Sequence, residues 1–473
     1  MWDSFRRVRV SSRRCSTSTS PKPRGCRGAT TDGRARLRRA GRLLALLLFL
    51  WVTEPAPLAA ADHANWDALM TAGAAAVEEG RLEEAERAFR EALNLAGEGA
   101  AGELRRATTL NNLGYVLHRR GRLAEAEELY AQALALRQTR LGPEHPEVAQ
   151  SLANLAEVKR ARGRVEDAER LYRRALAIRE KALGPEHPDL AQTLTGLAVL
   201  YAGTGRGEEA RALLQRALDI LEKAFGADDR RTLEAKANLA SLEYSLGRFP
   251  EAERLYREVL AAQERTLDAE APEIAGTLVA LAEVLRSQGR SGEAVSLLER
   301  ALAIRRARLA PNDPALARVL NDLGVNLHAL GRSEEAEKAL AEAVALEADA
   351  GLPLATRLPA VLNLAAVLSS LGRQEEALAV LEEAAREAEE APADGDLARL
   401  WNDLGAVQYA LGRYREAGEK LERAVATAEA AYGEKDPRLI PYLRNYASIL
   451  DALAREKEAQ RVTQRIEELG GGS

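Results

Sequence analysis

Few side chains in this sequence could do chemistry, and they are poorly grouped for it. The 473 residues include five histidines and two cysteines. Cys15 and Cys26 both fall near the start, so the rest of the chain holds no disulfide framework, thiolate metal site or cysteine nucleophile. His145 and His187 occupy equivalent places 42 residues apart, His118 and His328 share another equivalent place, and His63 stands alone. No further ligand set recurs beside them, so the loop histidines read as turn and helix-start residues and not as a metal site. H-E-x-x-H, G-x-S-x-G, G-x-x-x-x-G-K-[ST] and C-x-x-C patterns do not occur. A single G-x-G-x-x-G, Gly97 to Gly102, follows a helical pattern instead of a strand, which leaves it as a connection and not a dinucleotide turn. The expectation is therefore a chain without catalytic residues, metal, cofactor or small-molecule substrate.

The most suggestive polar set is a row: Asn112, Asn154, Gly196, Asn238, Ala280, Asp322, Asn363, Asp403 and Asn445. Each stands immediately before a Leu row expected to be buried (Tyr446 in the last case), so packing does not ask for polarity there. A carboxamide both donates and accepts, which matches a peptide backbone. The same residues could instead bond neighbouring helix ends or simply be solvated. Four residues earlier stand Thr108, Gln150, Gln192, Glu234, Gly276, Arg318, Pro359, Arg399 and Pro441. Arg318 and Arg399 precede Asp322 and Asp403 by one turn, the spacing of a helix ion pair.

The elements that must carry these rows repeat. Gly-Arg recurs at Gly80, Gly121, Gly163, Gly205, Gly247, Gly289, Gly331, Gly372 and Gly412, at intervals of 40 to 42 residues. Four residues after each Gly comes Glu or Asp, then Ala; a tenth unit keeps Glu458-Ala459 but has Ala454 in place of the Gly. Before each Gly runs a helical pattern with Leu, then a small residue, as in Leu113-Gly114 and Leu155-Ala156. The Gly ends that helix in a left-handed conformation. A second helix follows, with Ala, then a large residue four on, then Ala three further, as in Ala126, Tyr130 and Ala133. Small residues facing small residues let paired helices approach closely. Aromatics at 4% and the predominance of Ala and Leu agree with an all-helical chain. The recurring Arg after each Gly points to a local role at the turn.

This pattern resembles the tetratricopeptide repeat, with L-G in the first helix and A-x3-[FY]-x2-A in the second. Ten units cover roughly residues 66–469, within a body of 62–469, followed by a flexible Gly/Ser tail at 470–473. The period exceeds the family's usual 34 residues. Its extra residues lie between units, as in Leu141-Gly142-Pro143-Glu144-His145-Pro146 and the matching Leu183 to Pro188. That long form is similar to the kinesin-light-chain-like branch, which is also widespread in bacteria. The resemblance implies a right-handed α-solenoid, all-α, with a concave groove. It also implies that the row Asn112, Asn154, Asn238, Asp322, Asn363, Asp403 and Asn445 lines that groove and hydrogen-bonds an extended peptide. A clamp for a terminal carboxylate would need paired Lys or Arg in neighbouring units, and that pattern is missing.

Charge divides the chain. Residues 1–61 carry 13 Lys and Arg against 3 acids, leaving 54 bases against 69 acids in the body. An acidic body argues against nucleic acid as a partner. Residues 34–61 read as a signal peptide: five arginines, an apolar run from Leu43 to Val52, Pro55 and Pro57 as breakers, and Ala59-Ala60-Ala61 as a cleavage site. Ten apolar residues are too few to span a bilayer, although residues 43–52 could act as an anchor. Residues 1–33 read as an extension from a mis-set start codon, or else as an organelle transit peptide. The expectation is an exported, periplasmic or extracellular, non-enzymatic scaffold that binds a protein or peptide segment in its groove, with no membrane span in the mature chain. The alternative is an accessory subunit of an envelope enzyme or secretion complex that binds through convex or end surfaces.

Overall fold

The computed structural model describes residues 56–388, 392 and 394–470. Residues 1–55 of the basic leader and the tail at 471–473 lie outside the described residues, and with them both cysteines and the apolar run 43–52; Pro57, expected as a breaker, and Ala59-Ala60-Ala61, expected as a cleavage site, lie instead within the first helix, Ala56–Glu78. Cα packing divides the chain into two compact units, residues 1–224 and 225–473. Each is a stack of antiparallel helix pairs.

The first unit holds α1 (Ala56–Glu78), α2 (Leu82–Asn94), α3 (Gly99–Arg119), α4 (Leu123–Leu141), α5 (Pro146–Ala161), α6 (Val165–Leu183), α7 (Leu190–Gly203) and α8 (Gly207–Phe225). The second holds α9 (Arg230–Ser245), α10 (Phe249–Thr266), α11 (Pro272–Ser287), α12 (Ser291–Arg308), α13 (Ala317–Ala329), α14 (Ser333–Asp349), α15 (Leu354–Ser370), α16 (Gln374–Glu387), α17 (Gly395–Ala410), α18 (Tyr414–Tyr432), α19 (Ile440–Ala452) and α20 (Glu456–Gly470). Odd-numbered helices are the first of each pair. The all-α solenoid expected from the repeat is what forms. None of the described helices is long and apolar enough to cross a membrane.

The turn between paired helices follows from its glycine. All nine recurring glycines have φ between 73° and 77°, a region where a Cβ is penalised. At Gly121 the backbone closes with Gly121 N–H to His118 O at 3.0 Å and Arg122 N–H to Leu117 O at 2.9 Å. Ala454 takes the same conformation at φ 56° with its methyl group in place.

Across each pair, small faces large. A Cβ on Gly114 would come within 3.1 Å of the Tyr130 ring, and one on Gly324 within 2.5 Å of Leu340 Cγ. Ala85, Ala126, Ala168 and Ala210, the first small residues of their second helices, are wholly buried. The row gap at Gly196 has the same origin. A Cβ there would meet Tyr172 Cε1 at 2.6 Å, so the tyrosine ring takes the space an Asn would need.

In several repeats the Arg after the turn Gly joins neighbouring repeats. Arg122 pairs with Glu125 three residues on and reaches back to Glu86 at 2.9 Å, one repeat earlier. Arg206 does the same with Glu209 and Glu169, Arg290 with Glu293 and Glu253, and Arg373 with Glu376 and Glu337. Glu127 gathers three cations: Lys159 at 2.7 Å, Arg162 and Arg164. Burial works to raise the pKa of Glu127, but the hydrogen bond from Lys159 and its charge, with Arg162, hold it below the usual carboxylate range.

The connections between repeats explain the loop histidines. His145 Nδ1 accepts the Glu147 N–H at 3.2 Å, and His187 Nδ1 accepts the Asp189 N–H at 3.2 Å. Asp229, Asp313 and Asp436 perform the same service in the second unit. His145 and Asp229 act as N-caps of α5 and α9, Asp313 and Asp436 cap the short 3-10 turns before α13 and α19, and His187 closes the turn that leads into α7. Arg137, buried, braces its loop by donating to Glu147 O at 3.1 Å and Ser151 Oγ at 2.9 Å. The Gly97–Gly102 segment is not all connection, because α3 starts at Gly99.

Candidate functional site

Within each unit the first helices of successive repeats pack directly on one another, α3 on α5 and α5 on α7 in the first, and α9 through α19 in the second. They form the crowded inner side of the stack, and the predicted Asn row lies on them. Every member of that row is half-buried except Asn238, which is exposed.

The row divides by what its members touch. In the first unit Asn154 donates Nδ2 to Asn111 Oδ1 at 2.8 Å, one repeat back, and accepts Gln150 Nε2 at 3.0 Å. Gln150 in turn accepts from Arg179, so four side chains form a continuous polar ladder. In the second unit Asn363 donates to Asn321 at 2.9 Å and accepts from Arg399 at 3.3 Å. Arg399 pairs with Asp403 at 3.4 Å, Asn402 donates to Asp403 at 3.1 Å, and Asn445 donates to Asn402 at 2.8 Å. The amides of Asn154, Asn363 and Asn445 are thus spent within the protein, on residues one row earlier. Sequence reading passed over Asn111, Asn321 and Asn402, the acceptors of these bonds. Their signal was an amide directly preceding a row member.

Asn112 and Asn238 make no hydrogen bond among the described residues, and they present free amides to solvent on the inner helices. Asp322 and Asp403 sit where an amide would, and burial raises the pKa of each against the neighbouring Arg318 and Arg399. The two predicted helix pairs part company here. Arg399 reaches Asp403, whereas Arg318 forms no ion pair with Asp322.

The ladder stops at α11. Its row members are Gly276 and Ala280, and Val279 stands where Asn111, Asn321 and Asn402 stand elsewhere. Asp322 on α13 has no amide to meet across the gap, and a pocket opens between α11 and α13. Asn326, one turn further along α13, is 2% exposed and donates Nδ2 to Asp322 O at 2.8 Å. Its Oδ1 has no partner among the described residues. The equivalent place in eight other repeats holds Val116, Val158, Leu200, Leu242, Val284, Val367, Val407 and Ile449, all buried. Sequence reading also missed this residue, whose mark was one Asn in an otherwise apolar row.

Among the described residues, no three His, Cys, Asp or Glu side chains are grouped to hold a metal ion. What the inner face offers is hydrogen bonding: free amides, an amide oxygen and guanidinium groups on a rigid helical frame.

Models of the tetratricopeptide repeat match residues 105–181, 151–206, 189–265, 273–346 and 396–469, and a second such model matches 360–391. No curated protein matches the sequence. Among solved structures, one described as a kinesin light chain with nearly identical TPR-like repeats, from Podosopora anserina, is 30% identical. It covers 44% of this chain and 98% of its own, with a TM-score of 0.40. BtubC (BKLC) from P. vanneervenii is 24% identical over 48% of this chain and 91% of its own, with a TM-score of 0.42. A signal-transduction ATPase with a tetratricopeptide repeat sensor, from Pyrococcus horikoshii, is 16% identical over 78% of this chain and 54% of its own. Its TM-score of 0.52 reflects a shared fold. With matches over well more than half its length and helix pairs built on the turn, small-residue and capping chemistry described above, the chain belongs to the tetratricopeptide repeat family.

Proposed function

We propose that this protein is a non-enzymatic scaffold that binds extended protein segments along the inner helices of each of its two units. Tetratricopeptide repeat proteins generally mediate protein–protein interaction, and the fold alone would leave the surface unspecified. One observation carries the reading to the inner face: Asn112 and Asn238 hold unpaired amides on first helices, where equivalent residues are tied into ladders. An unpaired amide on a rigid helix costs little to desolvate once a peptide N–H and C=O replace water. The ladders that consume Asn154, Asn363 and Asn445 fix the register of the surface, which lowers the entropy lost on binding. Export through the signal-like segment 34–61 is part of the same proposal, and it rests on the charge and hydropathy of that segment.

The test is to pan a library of random peptides against the full chain and against two variants. Asn112→Ala with Asn238→Ala should lose the enriched peptides. Asn154→Ala, which alters the ladder, serves as a comparison for indirect effects. Enriched peptides held equally by the double variant would move the binding surface off the inner face.

A further inference from the structure

The pocket between α11 and α13, in the second unit, combines features that elsewhere in the chain are kept apart. It is a small cleft of about 60 Å³, partly open to solvent, with room for the tip of one side chain. At its base is Asn326, whose Oδ1 is buried with no donor. An unmet buried acceptor is destabilising, and the repeat offers a ready remedy in the Val or Leu found at the equivalent positions. At its mouth stand Arg286 and Arg318, both exposed. Most arginines of this chain are held in ion pairs, but neither of these makes an ion pair or hydrogen bond among the described residues. Asp322 and Glu283 line the same pocket, and Val279 forms its apolar wall.

The groups present select the ligand. A carboxylate would satisfy the two guanidiniums but would bring only acceptors to Asn326 Oδ1, Asp322 and Glu283. An ammonium group would satisfy those acceptors but would face two cations. A carboxamide meets both ends, with its N–H directed to Asn326 Oδ1 and its carbonyl oxygen accepting from Arg318 or Arg286. We propose that this pocket binds a carboxamide of the partner segment, formed by Asn326 at the base and the two arginines at the mouth. The inference rests on the scaffold reading and gives it a chemical preference at one point. A segment held by this pocket carries an amide group at the residue that enters it. That group is the side chain of a glutamine or asparagine.

The experiment follows the side-chain amide signal of Asn326 by NMR in the full chain labelled with 15N-asparagine. The signal is identified by its loss in Asn326→Val. Three probes are titrated: the N-acetyl N-methylamides of glutamine, alanine and glutamate. The glutamine probe should move the signal saturably, and the glutamate probe should not. An equal response to the alanine probe, which has the same backbone amides but no side-chain amide, would overturn the proposal. Arg318→Gln should weaken the glutamine probe about tenfold, the effect of losing one charge-assisted hydrogen bond. No shift with any probe, or an equal shift with glutamate, overturns the proposal. Asn326→Val should melt at a higher temperature than wild type, because it restores the apolar row. A lower melting temperature would make Asn326 a structural residue and would also overturn it. Peptide panning could fail while the glutamine probe still binds, and the reverse could also happen, so the two readings fail separately.

Discussion

Substituting Asn363 and Asn238 by alanine should have opposite effects, although sequence reading placed both in one row. Asn363 donates to Asn321 at 2.9 Å and accepts from Arg399 at 3.3 Å. Asn363→Ala removes both bonds and leaves half-buried Asn321 Oδ1 without its donor. A net hydrogen bond contributes about 0.5–1.5 kcal/mol, and an orphaned group adds to the loss. Alanine returns up to about 0.7 kcal/mol of helix propensity. The expected result is a loss of about 1–2 kcal/mol for Asn363→Ala. Asn238 is exposed and unbonded, so Asn238→Ala keeps only the propensity gain and should be neutral or stabilise by up to about 0.7 kcal/mol. Repeat arrays open in parts, so the readout should be local. Native-state hydrogen exchange at the amides of α9, α13 and α15 reports each site separately. A cycle with Asn321→Ala should show a coupling of about 1 kcal/mol with Asn363→Ala, since the two residues share one bond. Equal losses at Asn363 and Asn238, or no coupling with Asn321, would refute the assignment of ladder and free amides.

Glu127→Gln should destabilise the first unit by about 1–2 kcal/mol, measured by urea unfolding, because the half-exposed Arg162 and Arg164 temper the loss of a carboxylate shared with Lys159. On acidification, Glu86, Glu127 and Glu253 have folded pKa values below their unfolded ones. Their contribution is complete above the unfolded value of about 4.3 and disappears as pH falls through the folded values. The urea midpoint should therefore drop below about pH 4, partly offset by Asp322 and Asp403, whose raised values act in the opposite sense. Ala454→Gly should raise the stability of the last repeat by about 1 kcal/mol, read by hydrogen exchange in α20, because a left-handed alanine is strained. Gly324→Ala should melt below Gly276→Ala. The first crowds Leu340 Cγ at 2.5 Å and the second meets nothing within 4 Å, so only the second keeps the full helix-propensity gain of about 1 kcal/mol.

Most of the fold could be read from the sequence, because each feature depends on local chemistry repeated in phase. Gly121 marks a left-handed turn wherever it recurs, and Ala126, Tyr130 and Ala133 mark a close helix face. The recurring Arg had a turn role that sequence could suggest, but its second partner was not visible. Glu86 and Arg122 are 36 residues apart, and only the stacking of repeats brings them to 2.9 Å. The loop histidines were assigned correctly to helix starts, and the aspartates at equivalent positions show why, since both residue types offer one acceptor at the cap.

The candidate site was legible only in part, for a physical reason. A repeat unit that displays polar residues to a ligand must also hold its neighbours in register, and an Asn on an inner helix can do either. Type and position are the same in both roles; the partner one residue earlier in the preceding repeat decides between them. Asn154 has Asn111 there and Asn363 has Asn321, so both are consumed. Asp322 finds Val279, and a pocket opens. Departures from the repeat are thus more informative than its members. Asn326 in a row of Val and Leu leaves a buried oxygen without a donor, and a local inconsistency of this kind is expected where a protein binds something. The same search across the remaining rows identifies Gly196 as a second departure, but there Tyr172 fills the space and the vacancy is structural. What separates the two is whether an unmet polar group remains, and Asn326 Oδ1 is such a group.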